Sequence, residues 1–248
     1  MSQHSINNDW FTEAFDALYP IVYSHRSIDA AAPEVHFAAQ VLGIRDGSRL
    51  LDLCCGTGRH IHHLSKFRAS LYGLDYSAEL LRKAQELVGD RASLVRGDMR
   101  TIPFVDSFDV IVNFFTSFGY FLDMDENLAV LHGVKSALKP GGRLFMDHIN
   151  MQAVRTTLQP HSQRAVGHYA IDEKRWIDDN TQRVNKRTRI TGPHGDMQEI
   201  SESVRLFRPD EISGYMAEAG LHVEAIYGDY EGNALTAEAP RMILVATA

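Results

Sequence analysis

The chain has 248 residues, of which 44% are hydrophobic and 23% charged, and carries a formal net charge of −7. That length suits one α/β domain with a full core and an elaboration, and is short for two independent domains. The acid excess gives a phosphate backbone nothing to attract it, so nucleic acid is disfavoured as a partner. No apolar run approaches the roughly 18 residues of a membrane span, and MSQHSINNDWFTEAF has no apolar stretch behind a basic one, so a cytoplasmic location is expected.

Phe11, Phe15, Leu18, Tyr19 and Val22 recur at helical spacing, which predicts an amphipathic helix over 10–23, placed to lid a pocket. A second helix over 33–42 stops at Gly43, and RLLDL (49–53) is an apolar strand that turns into CCGTG. Alternation follows: helix 59–66, strand 70–75, helix 77–88, strands 93–98 and 108–113, helix 125–138 and strand 142–148, with KPGG (139–142) closing the helix before the last strand. Such alternation predicts a parallel sheet with helices on both faces. After Asn150 the segments 168–178, 183–191 and 197–207 alternate with period two between DDNT and GPHGD turns, predicting a three-stranded antiparallel insertion. Pro209 then opens a helix to 219, and 222–228 and 241–247 return to the sheet. The expected organisation is one domain: a helical lid (1–43), a cofactor-binding core (44–150), the β insertion (151–208) and a closing helix with a strand pair (209–248).

The chemistry concentrates in LLDLCCGTG, where a strand delivers Asp52 and a turn follows whose Gly56 and Gly58 let backbone approach a nucleotide-like ligand. A nicotinamide dinucleotide is the rival occupant, but its fingerprint calls for a third glycine at position 61, which is Ile61. Asp75 ends the next strand at the distance where a carboxylate holds ribose hydroxyls. Asp98, ending the third strand, suits an adenine amino group, and Met99 suits the adenine face.

Together LDLCCGTGRH, GLDYS, RGDM, FDVIVNFFTSFGYF and LKPGGRLFMD resemble the class I S-adenosylmethionine methyltransferases over residues 45 to 150. The resemblance implies a Rossmann-like, seven-stranded, mostly parallel sheet with the antiparallel insertion between its fifth and sixth strands, and S-adenosyl-L-methionine as cofactor. Carried over, Asp52, Gly56 and Gly58 hold the methionine part, Asp75 the ribose, and Asp98 with Met99 the adenine; Tyr76, next to Asp75, is counted with the cofactor-binding residues. Cys54 stands where the family more often has glycine and narrows the space near the amino-acid moiety. A closer likeness is to the branch with amino-sugar N,N-dimethyltransferases and glycine N-methyltransferase, through GDMR, the F-x-S-x-G turn and the late S-V-R-L-F. The amino-sugar enzymes have a histidine where this chain has Tyr120.

The expected activity is methyl transfer to a nitrogen or oxygen of a small molecule. An amine needs only to be neutral, whereas a hydroxyl needs a base. Base candidates are Tyr120, His148 and Asp229, with Asp147 and Tyr230 beside them. Asn113 is expected to face the methionine end, and Tyr23 and Arg26 of YSHRS to cover it and meet its carboxylate, although Tyr19 and Tyr23 suit helix packing better than ligand binding. His60, His62 and His63 lack a metal-site frame and are expected on a solvated helix face; no metal is expected. RVNKRTR (183–189) is expected as the wet face of a strand, and Cys54 and Cys55 as reduced thiols. A binding protein without turnover, transfer of another group from a modified adenosyl cofactor, and a nicotinamide oxidoreductase stand as alternatives. A homodimer is left open, as is whether the insertion shapes the pocket or a subunit contact.

Overall fold

Leu50, Leu51, Asp52 and Leu53 are all buried, the mark of a central parallel strand covered on both faces. In the computed structural model, which describes residues 6–248, this strand β1 (Arg49–Leu53) lies between β2 (Ser70–Asp75) and β4 (Phe108–Asn113), Leu51 pairing with Tyr72 on one side and Ile111 on the other. With β3 (Ala92–Arg96), β5 (Leu138–Ile149), β10 (His222–Tyr227) and β11 (Arg241–Thr247) it forms a seven-stranded sheet in the order β10-β11-β5-β4-β1-β2-β3. β11 pairs antiparallel with both neighbours, and the remaining pairings are parallel. Strand order reverses between β1 and β4, which opens a crevice at their carboxyl ends.

Helices α3 (Ala31–Leu42), α4 (Arg59–Leu64), α5 (Ala78–Val88), α6 (Met124–Ala137) and α8 (Pro209–Glu218) cover the sheet. Ser77 caps α5 by accepting from the Leu80 N–H, and Gly43 ends α3 at φ 63°. Two apolar layers result, one including Leu51, Leu53 and Ile111, the other Leu50, Val110 and Val112. No helix among the described residues is long and apolar enough to cross a membrane.

Three segments depart from expectation. The 10–23 segment is two single turns, α1 (Phe11–Ala14) and α2 (Tyr19–Val22), rather than one helix. Pro20 has no N–H for a continuous ladder and sits at the start of α2, while Asp16 Oδ1 accepts from the Leu18 N–H between the turns. The first five residues of the expected lid lie outside the described residues. KPGG belongs to β5, which begins at Leu138; a Cβ on Gly142 would stand 3.0 Å from the Phe108 carbonyl oxygen, so only glycine lets the strands approach there.

The insertion has four strands, not three: β6 (His161–Val166), β7 (Tyr169–Asp178), β8 (Arg183–Thr191) and β9 (Met197–Arg205), joined antiparallel in that order after α7 (Met151–Thr157). β6 reads HSQRAV and has no apolar alternation to betray it. Nor is RVNKRTR simply a wet face, since Arg183, Asn185 and Thr188 are buried. The Arg183 guanidinium donates to the carbonyls of Gly119, Tyr120 and Phe121 at 3.0, 2.6 and 3.0 Å, clamping the insertion to the loop that follows β4.

Candidate active site

A cavity of about 280 Å³ lies at the carboxyl ends of β1, β2 and β4, beneath the 10–26 segment and β9. Its floor is the glycine loop. Gly56, at φ 53°, has no atom within 4 Å of where a Cβ would stand, so bare backbone borders open space. Gly58 does not line the cavity; at φ 78° its missing Cβ leaves room for Ala84 and Val88 of α5. Cys54 lines the cavity in the left-handed region, φ 64°, with Sγ 3.6 Å from Met99 Sδ.

The strand ends bring the acids together. Asp75, 8% exposed, accepts from the Gly56 N–H through Oδ2 at 2.8 Å and from the Ser77 N–H through Oδ1 at 2.9 Å. Burial raises its pKa against the pull of these donors. Asp98 receives the Arg100 N–H at 2.8 Å and the Arg100 guanidinium at 2.6 Å. Burial opposes its charge, yet Arg100 holds the carboxyl below its ordinary range. Met99 is a buried wall beside it, and Tyr76 stands at the rim, edge-on to Phe11 at 5.8 Å.

Asp52 and Asn113 lie behind this surface, each 1% exposed and neither lining the cavity. The Asn113 amide donates to the Leu53 carbonyl at 2.9 Å and leaves Oδ1 without a partner; Asp52 Oδ2 is also buried without one. Burial, with the Asp75 charge, pushes the Asp52 pKa well up. Arg26 lines the cavity with its guanidinium 4.0 Å over the Tyr23 ring and 4.8 Å from the Phe115 ring; it donates to the Tyr19 hydroxyl at 3.2 Å, and its Nε is buried without a partner. No carboxylate among the described residues pairs with it. Tyr23 donates to Glu202 Oε2 at 2.6 Å.

Of the three base candidates, Tyr120 alone reaches the cavity. Its ring lies 4.8 Å from Trp10 and 5.8 Å from Phe15, and burial, with Cys54 nearby, drives its pKa well up. His148 is fully buried against Phe207, its Nδ1 3.0 Å from the Ile149 carbonyl oxygen, and burial lowers its pKa to about 4. The strand period that turns Asp147 to one face of β5 turns His148 to the other. Asp229 lies outside the cavity and accepts from the Glu231 and Asn233 N–H groups at 2.9 and 3.1 Å, organising its own loop. Asp147 is committed as well: it receives the Phe115 N–H at 2.9 Å, the Tyr230 hydroxyl at 2.6 Å and Arg241 Nε at 2.6 Å. Arg241 also donates to Thr116 Oγ1 at 2.8 Å, which fixes the turn after β4.

The histidines depart from the expected solvated face, since His60 and His63 are buried. His60 lines the cavity, stacks on Phe114 at 4.0 Å and 9°, and places Nε2 2.7 Å from Glu34 Oε2. Burial raises the Glu34 pKa to about 7 and, with Arg59, lowers that of His60 well below its ordinary value. Glu202, which lines the cavity, and Glu34, which backs His60, are acids that no sequence motif announces; only long-range packing brings them here. Among the described residues, no three His, Cys, Asp or Glu side chains gather as a metal site. Cys54 and Cys55 are free thiols, their pKa values pushed well up by burial and the neighbouring acids.

These features fit an adenosyl amino-acid cofactor: acids at three strand ends, a bare glycine backbone, an unpaired guanidinium, and two buried orphan oxygens behind the loop. A dinucleotide fits less well, because Ile61 fills the third-glycine position and stands where a Cβ on Gly73 would meet it at 2.7 Å.

Residues 50–142 match the family model described as a methyltransferase domain. The chain is 28% identical over 233 residues to dTDP-3-amino-3,4,6-trideoxy-alpha-D-glucopyranose N,N-dimethyltransferase of Streptomyces venezuelae, covering 90% of this chain and 96% of that one. It is 27% identical over 259 residues to the cypemycin N-terminal methyltransferase of a Streptomyces species, covering 99% and 98%. An S-adenosylmethionine-dependent methyltransferase from Clostridium acetobutylicum shares the fold with a TM-score of 0.79 at 17% identity, over 96% of this chain and 98% of that one. Residues 50–142 therefore form a methyltransferase domain, and the chain as a whole is similar to S-adenosylmethionine-dependent methyltransferases.

Proposed function

We propose that the protein methylates a nitrogen of a small-molecule amine in the cavity between the glycine loop and the 10–26 segment. One observation carries this reading: among the described residues lining the cavity no tyrosine or histidine is poised as a base, and the Glu202 carboxylate is held by the Tyr23 hydroxyl and Lys186. Burial holds the protons on Tyr19, Tyr23 and Tyr120, the buried His60 resists taking one up, and Asp75 and Asp98 are engaged by donors. A hydroxyl acceptor would need such a base; a neutral amine brings its own lone pair. The names of the two curated relatives, an amino-sugar N,N-dimethyltransferase and an N-terminal methyltransferase, point the same way.

When bound, the cofactor supplies a methyl group already activated on a sulfonium. The chain's own residues have to hold, align and exclude water. In this reading Asp75 accepts from the ribose hydroxyls with Tyr76 at its side, Asp98 and Met99 bracket the adenine, and the Gly56 backbone lies along the amino-acid arm, with Cys54 narrowing its path. Gly58 keeps the loop close to α5, Asp52 and Asn113 order it from behind, and Arg26, held over Tyr23, meets the carboxylate. The unpaired charge of Arg26 favours an intact carboxylate over a decarboxylated cofactor. Glu202 and Val204 bring the insertion into the cavity wall, which favours a pocket-shaping role for it over a purely subunit-pairing one.

Incubation with methyl-labelled S-adenosylmethionine and either cyclohexylamine or cyclohexanol tests the reading on matched skeletons. Label is expected in the amine, increasingly as pH rises toward the amine's own pKa. Label in the alcohol alone contradicts it.

A further inference from the structure

We propose that Glu202 anchors the acceptor's amino group, making the β9 side of the cavity a subsite for an aliphatic amine; the proposal rests on the nitrogen reading above. Positions 198, 200, 202 and 204 share one face of β9 by the strand period. Gln198 donates to Asp16 at 2.7 Å, Ile200 is buried with Val22, and Glu202 and Val204 line the cavity. The face that docks the 10–26 segment therefore also delivers a carboxylate into the cavity, roofward of the glycine loop.

Of the carboxylates lining the cavity, Asp75 and Asp98 stand at the ends of β2 and β3 on the cofactor side, leaving Glu202 for the acceptor. Its side chain keeps 17% exposure and is held by the Tyr23 hydroxyl, 2.8 and 2.6 Å from its two oxygens, and by Lys186 Nζ at 2.7 Å from Oε1. A carboxylate has about four acceptor sites, so these two donors leave capacity toward the cavity. The seat on Glu202 already holds an alkylammonium, that of Lys186, and so has the chemistry to hold another.

An aromatic wall runs up to this carboxylate. Trp10 meets Tyr120 at 4.8 Å, Phe15 stacks on Tyr120 at 5.8 Å, Phe15 meets Tyr19 at 5.3 Å, and Tyr19 meets Tyr23 at 4.6 Å. Ring faces attract ammonium and the polarised methyl groups attached to it. A neutral amine donating one N–H to Glu202 keeps its lone pair free, and the methyl groups it gains rest on the rings.

The test is titration of the S-adenosylhomocysteine-loaded protein with dimethylammonium chloride and, as a neutral match, isopropanol, followed by tryptophan fluorescence. Wild-type protein is expected to bind dimethylammonium saturably and isopropanol not at all. Glu202→Gln keeps the shape and should weaken dimethylammonium by about tenfold or more, with S-adenosylhomocysteine affinity unchanged. Should that variant fail to fold, Lys186→Met reads the same seat: freeing the carboxylate of its resident ammonium should tighten dimethylammonium binding. No binding to wild-type protein, equal binding to Glu202→Gln, or unchanged binding to Lys186→Met overturns the subsite. Binding through Glu202 without methylation of any amine instead overturns the nitrogen reading and leaves the subsite standing.

Discussion

The Gly56 N–H donates a 2.8 Å hydrogen bond to Asp75 Oδ2, so the glycine loop after β1 and the acid that ends β2 position each other. Asp75→Ala removes that anchor, the Ser77 contact and the acceptor proposed for the ribose. Affinity for S-adenosylhomocysteine should fall by about 1 to 3 kcal/mol, read by calorimetric titration. Unchanged affinity would move the cofactor elsewhere on the molecule.

Arg26 holds a charge over two aromatic rings, and no carboxylate among the described residues pairs with it. Arg26→Met should weaken S-adenosylhomocysteine by about 1.5 to 3 kcal/mol and leave 5′-methylthioadenosine, which has no carboxylate, untouched. Equal losses for both ligands would show that Arg26 shapes the cavity rather than meeting an anion.

Asp147 and Arg241 pair at 2.6 Å, Arg241 at the cavity wall and Asp147 fully buried and also holding Phe115 and Tyr230. Asp147→Ala strands the guanidinium and should cost about 3 to 5 kcal/mol in urea denaturation. The double variant with Arg241→Met should lose less than the sum of the single losses. Strict additivity would mean that the pair does not act as a unit.

Glu34 and His60 give a pH signature. With its folded pKa raised to about 7, Glu34 contributes stability that is fully present below its ordinary value of 4.5 and is lost as pH rises through 7. His60, lowered by burial and Arg59, acts in the opposite sense: its contribution is present above 6.5 and is lost as pH falls through its folded value. Glu34→Gln removes only the first effect and keeps the side chain's size. Its stability relative to wild-type protein should therefore rise between about pH 5 and pH 8. A constant difference across that range would mean that Glu34 ionises in the fold as freely as in water.

Local patterning carried most of the sheet. RLLDL, SLYGLD and FDVIVN are near-continuous apolar runs that end in loops, and their pairing order follows from alternation with helices. Pro20 is the local sign that 10–23 breaks, masked by an apolar period that the two turns preserve. β6 escaped because its inner positions are Ser, Arg and Val, with no apolar rhythm to expose it. At the site, residues in short motifs were legible: Gly56, Asp75, Asp98 and Met99 all line the cavity. Of those proposed from sheet-edge position, Tyr120 reaches the cavity, whereas strand parity turns His148 into the core and a tight loop claims Asp229. Glu202 lies 104 residues beyond Asp98 in the chain, and only the docking of β9 on the 10–26 segment brings it in.

The most direct measurement is calorimetric titration of the protein with S-adenosylmethionine, S-adenosylhomocysteine and NAD in parallel, repeated on Asp75→Ala. Micromolar binding of the first two, none of NAD, and marked weakening in the variant are expected. Binding of NAD, or of S-adenosylhomocysteine with equal strength to both proteins, would contradict the placement of the cofactor between the glycine loop and Asp75.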